Sequence, residues 1–169
     1  MRHLELLAPA KNLECGRAAV DHGAYAVYIG ASRFGARAAA GNSVADIAEL
    51  CAYAHRFGVK VYVTVNTIVY ENELDDTQRL IWDLYRAGAD AILVQDMGLL
   101  KMQLPPIALH ASTQTDNRSA EKVNWLLGHG FERVVLAREL SIDEIREIHA
   151  QLPQAELEVF VHGALCVSY

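Results

Sequence analysis

Short, nearly continuous apolar runs alternate with amphipathic segments along the whole chain. The runs are rich in Val, Ile, Leu and Ala and do not alternate with polar residues, which is typical of strands buried on both faces of a parallel sheet. Seven strands are predicted in this way, at residues 4–7, 26–29, 60–65, 91–94, 107–110, 133–136 and 157–161.

The segments between these strands have helical periodicity and recognisable start signals. Helices are predicted at residues 13–21, 44–55, 75–86, 119–127 and 141–151, with a short one at 97–102. Asn12 and Ser43 are predicted N-caps, and Ser141 with Glu144 has the spacing of a capping box.

Four glycines stand where a helix ends and a strand follows almost at once. They are Gly23, Gly58, Gly88 and Gly130. A residue in the left-handed conformation commonly follows the end of a helix, and glycine adopts it without steric cost. These positions divide the chain into repeated helix–strand units.

Strand and helix alternate with a repeat of roughly 25 residues, which is the unit size of a (β/α)8 barrel. The predicted fold class is therefore α/β, a TIM-like barrel that is incomplete, with about six βα units and a seventh strand. The rival is a doubly wound open sheet, which usually carries a glycine-rich phosphate turn after an early strand. The first strand is followed by Ala8-Pro-Ala10 instead, which favours the barrel.

Length and composition limit the class of protein. The chain has 169 residues, of which 52% are hydrophobic and 21% charged, as expected for one globular domain. No apolar run approaches the roughly 20 residues that span a bilayer, and no signal peptide precedes the first strand. Three widely spaced cysteines indicate a reducing cytoplasm, and the net charge of −6 disfavours nonspecific binding of polyanions by this segment.

Polar residues follow the predicted strands at their carboxyl ends, where barrel enzymes place their chemistry. The predicted substrate-binding residues there are Asn66, Gln95, His110, Ser112, Gln114, Arg138 and His162. The long loop after the second strand adds Arg33 and Arg37, which are expected to face an anionic group.

Several of these residues also have purely structural interpretations. Asn66 and Gln95 would satisfy loop backbone groups, and Arg138 and Glu139 would form a local ion pair. Asp96 is expected to cap the short helix that follows it. His22 and His129 are expected to cap helix ends. Cys15 and Cys51 are expected to be small apolar residues on helices. None of these roles needs a ligand.

Cys166 follows the last predicted strand and His162. A cysteine in this place serves as a core thiol, a nucleophile activated by a histidine, or a metal ligand. No CxxC pair is present, so its spacing alone does not decide between these roles.

Several motifs in order resemble those of the collagenase-like peptidase family, peptidase family U-32. The last twelve residues, Glu158-Val-Phe-Val-His-Gly-Ala-Leu-Cys-Val-Ser-Tyr169, resemble the front half of its signature. The other matching motifs are Leu6-Leu-Ala-Pro-Ala10, His22-Gly-Ala-Tyr-Ala-Val-Tyr-Ile-Gly30, Val94-Gln-Asp-Met-Gly98, Leu109-His-Ala-Ser-Thr-Gln114 and Leu136-Ala-Arg-Glu-Leu-Ser141. The resemblance covers the whole chain, residues 1–169, as the N-terminal barrel portion of a longer family protein.

This resemblance implies an enzyme that hydroxylates RNA or acts in ubiquinone biosynthesis, and that holds a 4Fe-4S cluster through four cysteines. Cys166 would be the first cluster ligand, with its partner cysteines beyond Tyr169. The motifs most resemble the branch that makes 5-hydroxycytidine in ribosomal RNA. The near relative is the branch that hydroxylates a wobble uridine of transfer RNA, with prephenate as a candidate co-substrate.

We therefore expect a cytoplasmic RNA-hydroxylating enzyme that binds RNA through parts beyond this chain, takes a small-molecule co-substrate and has no membrane segment. Two other classes remain open: a peptidase using Cys166 with His162, and a noncatalytic scaffold. Seven strands leave two open sheet edges, which predicts a homo-oligomer.

Overall fold

The computed structural model describes residues 4–32 and 41–163. Two compact units divide the chain, Met1–Ile107 and Ala108–Tyr169. The strands of the first unit are β1 (Leu7–Ala10), β2 (Ala26–Gly30), β3 (Lys60–Val65) and β4 (Ala91–Val94). Those of the second unit are β5 (Ala108–Ala111), β6 (Arg133–Val135) and β7 (Glu156–Glu158).

Helices connect these strands in the order that the sequence predicts. They are α1 (Leu13–Asp21), α2 (Val44–His55), α3 (Leu74–Arg86), α4 (Ala120–Gly128) and α5 (Ile142–Gln151). Short 3₁₀ helices lie at Glu71–Glu73, Met97–Lys101 and Thr113–Thr115. The predicted short helix at 97–102 is thus a 3₁₀ helix, and it makes the link from β4 to β5.

All of the pairings within each unit are parallel and join strands that are consecutive in the chain. In the first unit β1 pairs with β2, β2 with β3 and β3 with β4. In the second, β5 pairs with β6 and β6 with β7. Sequential parallel order is that of a (β/α)8 barrel, whereas a doubly wound sheet reverses its order. The predicted fold class, six βα units and a seventh strand, is confirmed.

The predicted cap residues and glycine positions are confirmed. Asn12 and Ser43 accept backbone hydrogen bonds at the starts of α1 and α2, and Ser141 forms the predicted capping box with Glu144. Gly23, Gly58, Gly88 and Gly130 all have positive φ, between 70° and 93°. Local sequence signals therefore set the ends of these helices.

Two predicted strands were misplaced at the edges. The first was predicted at 4–7 but pairs over Leu7–Ala10, and Leu4 is 85% exposed. The seventh was predicted at 157–161, but pairing ends at Glu158 because its partner β6 ends at Val135. An apolar run marks a strand only where a neighbouring strand is available to pair with it.

The core of the first unit lies between the sheet and helices α1 to α3. Val27 and Val61 of the central strands are fully buried, and so are Ala26 and Tyr62 on the opposite face of the sheet, as expected for strands covered on both faces.

The approach of α1 to α2 depends on a glycine. A β-carbon built on Gly16 would lie 2.7 Å from both terminal carbons of Leu50, which is itself fully buried. Contacts this short force neighbouring atoms to move, so only a hydrogen fits between the helices at this point.

We predict that Gly16→Ala lowers the free energy of unfolding by about 1–3 kcal/mol, because the added methyl overpacks the α1–α2 contact. Gly128→Ala is the matched control, since the same methyl at the end of α4 meets nothing within 4 Å. It should leave stability unchanged or raise it by up to about 1 kcal/mol. Chemical denaturation of both variants checks this, and equal effects would contradict it.

Candidate functional site

In the second unit, polar side chains gather past the carboxyl ends of β5 and β6 around a cleft of about 250 Å³. The cleft is lined by Thr113, Gln114, Asp116, Arg118, Ala137, Arg138 and Glu139. Two of these, Gln114 and Arg138, are predicted site residues, and the structure brings them to one place.

The loop after β5 builds one wall of the cleft. Ser112 starts the 3₁₀ helix Thr113–Thr115, with its hydroxyl accepting a hydrogen bond from the amide of Gln114 at 3.2 Å. The helix ends at Asp116, whose φ of 54° lies in the left-handed region. Aspartate tolerates this region better than most residues, although at some cost. The turn directs the chain from the cleft wall toward α4.

Asn117 links this loop to β6 from a fully buried position. Its side-chain amide donates hydrogen bonds to the carbonyl oxygens of Ser112 (3.0 Å) and Val135 (2.8 Å). The carbonyl oxygen of Asn117 accepts from the amide of Ala137 at 3.0 Å. Loops after neighbouring strands are thereby held together, and the two walls of the cleft keep a defined separation.

Arg118 bridges two carboxylates across the cleft wall. Its Nε donates to Asp116, and its Nη2 donates to Glu139 Oε1 at 3.1 Å. The hydrogen bond with Asp116, followed by the charges of Asp116 and Glu139, raises the pKa of Arg118. Glu139 therefore pairs with Arg118. The local ion pair of Arg138 with Glu139 stays an interpretation of the sequence.

Arg138 is held by an aromatic ring. Its guanidinium carbon lies 3.8 Å from the ring centroid of Phe160, which follows β7. Guanidinium groups stack well on aromatic faces, and such a contact restricts a long side chain that would otherwise move freely. Arg138 is half-buried, so the contact orients a cation at the edge of the cleft.

The other predicted residues of the second unit lie nearby in the chain. His110 is buried within β5 and Ser112 directly after it, while His162 is exposed beyond β7. Their participation in substrate binding remains a prediction. For Ser112 the structure adds a second role, since its hydroxyl and carbonyl organise the loop.

In the first unit, Asn66 and Gln95 follow β3 and β4 as predicted, and both are half-buried. Asp96 caps the 3₁₀ helix by accepting from the amide of Gly98 at 2.8 Å, which confirms its structural interpretation. It also accepts from the amide of Val69 at 2.9 Å. The loops after β3 and β4 are linked in this way.

Asn42 makes the same kind of link between β1 and β2. Its amide donates to the carbonyl oxygens of Lys11 (3.0 Å) and Gly30 (2.9 Å), and the residue is 4% exposed. The predicted anion-binding residues Arg33 and Arg37 lie outside the described residues.

The histidine caps are confirmed. The imidazole Nδ1 of His22 is 2.7 Å from the carbonyl oxygen of Ala18, and that of His129 is 2.7 Å from the carbonyl oxygen of Trp125. Each ring satisfies a carbonyl in the last turn of its helix.

The cysteines within the described ranges do not form a nucleophilic or metal site. Cys51 is buried in α2, and burial, followed by the charge of Asp90, raises the pKa of its thiol to about 12. Nearby His55 binds Asp90, with 2.9 Å between Nε2 and Oδ2. A nucleophile needs the opposite pKa shift, so Cys51 does not support a peptidase. Cys15 lies on α1, as predicted, and is exposed.

The predicted cluster ligand Cys166 lies outside the described residues. Among the residues that the structure describes, no group of three or more His, Cys, Asp and Glu side chains is placed to hold a metal ion. No helix within the same ranges is both long and apolar enough to cross a membrane.

Sequence reasoning missed Asn117, Asp116, Arg118 and Phe160. Phe160 lies inside the signature that carried the resemblance, so its position was visible although its contact was not. Asn117 carries only a weak signal, a polar residue just before a helix cap. Its role depends on β6, which follows it by 16 residues, and no local pattern contains such a contact.

Comparison with known proteins identifies the family. The model of "Peptidase family U32" matches residues 11–169, and the chain belongs to this family. In fold, the chain resembles the solved U32 peptidase Mk0906, with a TM-score of 0.75 at 14% identity over 94% of this chain and 69% of that one.

Two curated relatives are more informative about chemistry. The chain is 57% identical over 166 residues to the 23S rRNA 5-hydroxycytidine C2501 synthase of Escherichia coli K12, covering 98% of this chain and 25% of that protein. It is 38% identical over 169 residues to tRNA hydroxylation protein P1 of Bacillus subtilis 168, covering 98% of this chain and 40% of that protein. The chain thus spans a quarter to two fifths of the length of these two relatives.

We predict that Asn117→Ala lowers the free energy of unfolding by about 1–3 kcal/mol, because two carbonyl oxygens lose their donor at a buried position. Asn124→Ala is the matched control, because Asn124 is exposed in the middle of α4, where alanine favours the helix. Chemical denaturation distinguishes them, and a loss of less than about 0.5 kcal/mol for Asn117→Ala would contradict the linking role.

Proposed function

We propose that this chain is part of an RNA hydroxylase that makes 5-hydroxycytidine in 23S ribosomal RNA. The observation that carries the proposal is the 57% identity to the Escherichia coli enzyme of that name along nearly the whole chain. The tRNA hydroxylation protein of Bacillus subtilis is less similar, at 38%. Hydroxylation of a tRNA wobble uridine is therefore the second candidate.

The cleft of the second unit supports a binding role for this part of the chain. It combines hydrogen-bond donors and acceptors at strand ends, where parallel α/β enzymes bind their substrates. We assign Gln114 and Arg138 to substrate binding there, together with His110, Ser112 and His162 from the same unit. Asn66 and Gln95 of the first unit, with Arg33 and Arg37, remain candidates for contacts to the RNA or to a co-substrate.

The cofactor of the proposed enzyme is a 4Fe-4S cluster, which would supply redox chemistry when bound. The described residues do not fit such a cluster, since Cys51 is a buried thiol of raised pKa and Cys15 stands exposed on α1. We propose that Cys166 provides one ligand and that the remaining ligands come from outside this chain.

The remaining partners follow from the same proposal. The enzyme would act in the cytoplasm on RNA, with prephenate as a carboxylate-bearing co-substrate. Cys51 does not offer a peptidase a nucleophile, because this buried thiol near a His–Asp pair has a raised pKa. The pair Cys166 with His162 stays the alternative.

We predict that Arg138→Gln in the natural full-length protein lowers the yield of 5-hydroxycytidine at least tenfold, since a substrate-positioning cation is lost. The measurement is mass spectrometry of 23S ribosomal RNA from cells that lack the gene and carry each variant. Arg146→Gln is the control, because Arg146 is exposed on α5 and pairs with Asp143 one turn earlier in the same helix. Undiminished modification with Arg138→Gln would exclude this assignment, and no modification by the wild type would exclude the function.

We predict that anaerobically purified full-length protein contains about four iron atoms and matching acid-labile sulfide, with a visible thiolate-to-iron band. Cys166→Ala should abolish the band, whereas Cys15→Ala should retain it, because Cys15 lies on the exposed surface of α1. A colourless wild-type protein after reconstitution would overturn the cluster proposal.

A further inference from the structure

The cleft of the second unit contains both signs of charge. Asp116 and Glu139 provide carboxylates, and Arg118 and Arg138 provide guanidinium groups. A free anion would be attracted by the arginines but repelled by the carboxylates. A neutral group with hydrogen-bond donors and acceptors along one edge would instead be complemented by both. The cleft therefore fits a heterocyclic base better than a phosphate.

The size of the cleft agrees with a single base. At about 250 Å³, it lies just below the roughly 300–1,000 Å³ of sites that enclose drug-sized ligands. One pyrimidine ring would occupy such a space, with its ribose and phosphates outside. A base enters a cleft of this kind only when it is unpaired or rotated out of its stack.

Glu139 is placed and oriented as expected for a residue that recognises a base by hydrogen bonding. Arg118 donates to its Oε1 at 3.1 Å, which orients the carboxylate, while the side chain is still 50% exposed. A carboxylate accepts hydrogen bonds and donates none. It is therefore a suitable partner for an exocyclic amino group and an unfavourable one for a carbonyl oxygen.

The guanidinium group of Arg138 is also held in place, and it donates hydrogen bonds where the carboxylate of Glu139 accepts them. Phe160 holds its guanidinium by a stacking contact at 3.8 Å. Guanidinium groups recognise unpaired bases by stacking on them or by donating to their acceptors. With Glu139 as an acceptor and Arg138 as a donor, the cleft offers both kinds of partner to one base edge.

We propose that this cleft binds the target cytosine and that Glu139 accepts a hydrogen bond from its N4 amino group, with Arg138 contacting the same base. Cytosine carries an amino donor where uracil carries a carbonyl oxygen, so Glu139 selects cytidine over uridine. This inference rests on the proposed function, because that proposal names cytidine as the target nucleoside. Arg118 acts as a positioning residue for Glu139.

The test compares the binding of three RNA oligonucleotides of one sequence to the full-length protein by fluorescence anisotropy. Their single unpaired target is cytidine, uridine or N4,N4-dimethylcytidine, which lacks N4 hydrogens. The wild type should bind the cytidine oligonucleotide of the order of tenfold more tightly than either of the others, as expected for a base-specific contact. Glu139→Gln should reduce that preference to about twofold or less, because an amide also donates to a carbonyl oxygen.

Glu132→Gln is the matched control, since it makes the same change at an exposed residue before the start of β6, at the other end of that strand. It should retain the full preference. Thermal melting of each variant establishes that it is folded. Glu139→Ala is a second variant, in which the carboxylate that accepts the hydrogen bond is absent. Arg118→Gln should weaken the preference partially, because the carboxylate loses its restraint.

The outcomes separate this inference from the proposed function. The proposal that Glu139 recognises cytosine is overturned if the wild-type protein shows no preference among the three oligonucleotides. It is also overturned if Glu139→Gln weakens binding to all three equally. Both conclusions hold even when ribosomal RNA is still hydroxylated. Loss of the preference with Glu139→Gln, and its retention with Glu132→Gln, supports the proposal. Parallel mass spectrometry of ribosomal RNA reports on the function itself, and absence of 5-hydroxycytidine there removes the basis of both.

Discussion

The arrangement at the carboxyl ends of the strands depends on polar side chains that link neighbouring loops. Parallel strands end in backbone groups that have no strand partner, and burying such groups without hydrogen bonds is costly. Asn42 satisfies carbonyl oxygens at the ends of β1 and β2, Asp96 satisfies amides after β3 and β4, and Asn117 joins the ends of β5 and β6. Within each unit, these links turn separate loops into a shared rigid surface.

The shape of the cleft in the second unit follows from the need to satisfy these backbone groups. Asn117 sets the separation of its two walls, and the charged side chains are then restrained by one another. Arg118 holds Glu139 at 3.1 Å, and Phe160 lies 3.8 Å from Arg138. A binding group that is oriented before its ligand arrives loses less conformational entropy on binding. The local strain at Asp116, with φ of 54°, is consistent with a segment shaped for binding.

Much of the fold could be predicted from the sequence because its signals are local. The bounds of α1, α2, β3 and β4 agree with the prediction to the residue, since a cap residue, a helix-ending glycine or a continuous apolar run marks each of them. The errors larger than one residue fall at β1 and β7. There the apolar run extends beyond the pairing partner, and the length of a strand is decided by its neighbour.

The sequence by itself determined the fold class, the family resemblance, the helix caps and the polar character of the strand ends. These follow from periodicity, from backbone preferences and from motifs that lie within a few residues of each other. Only the tertiary structure decided that Glu139 pairs with Arg118, that Phe160 supports Arg138 and that Asn117 joins two loops. Each of these contacts unites residues 18 to 22 positions apart. Their geometry depends on strand register and side-chain packing, which no local pattern contains.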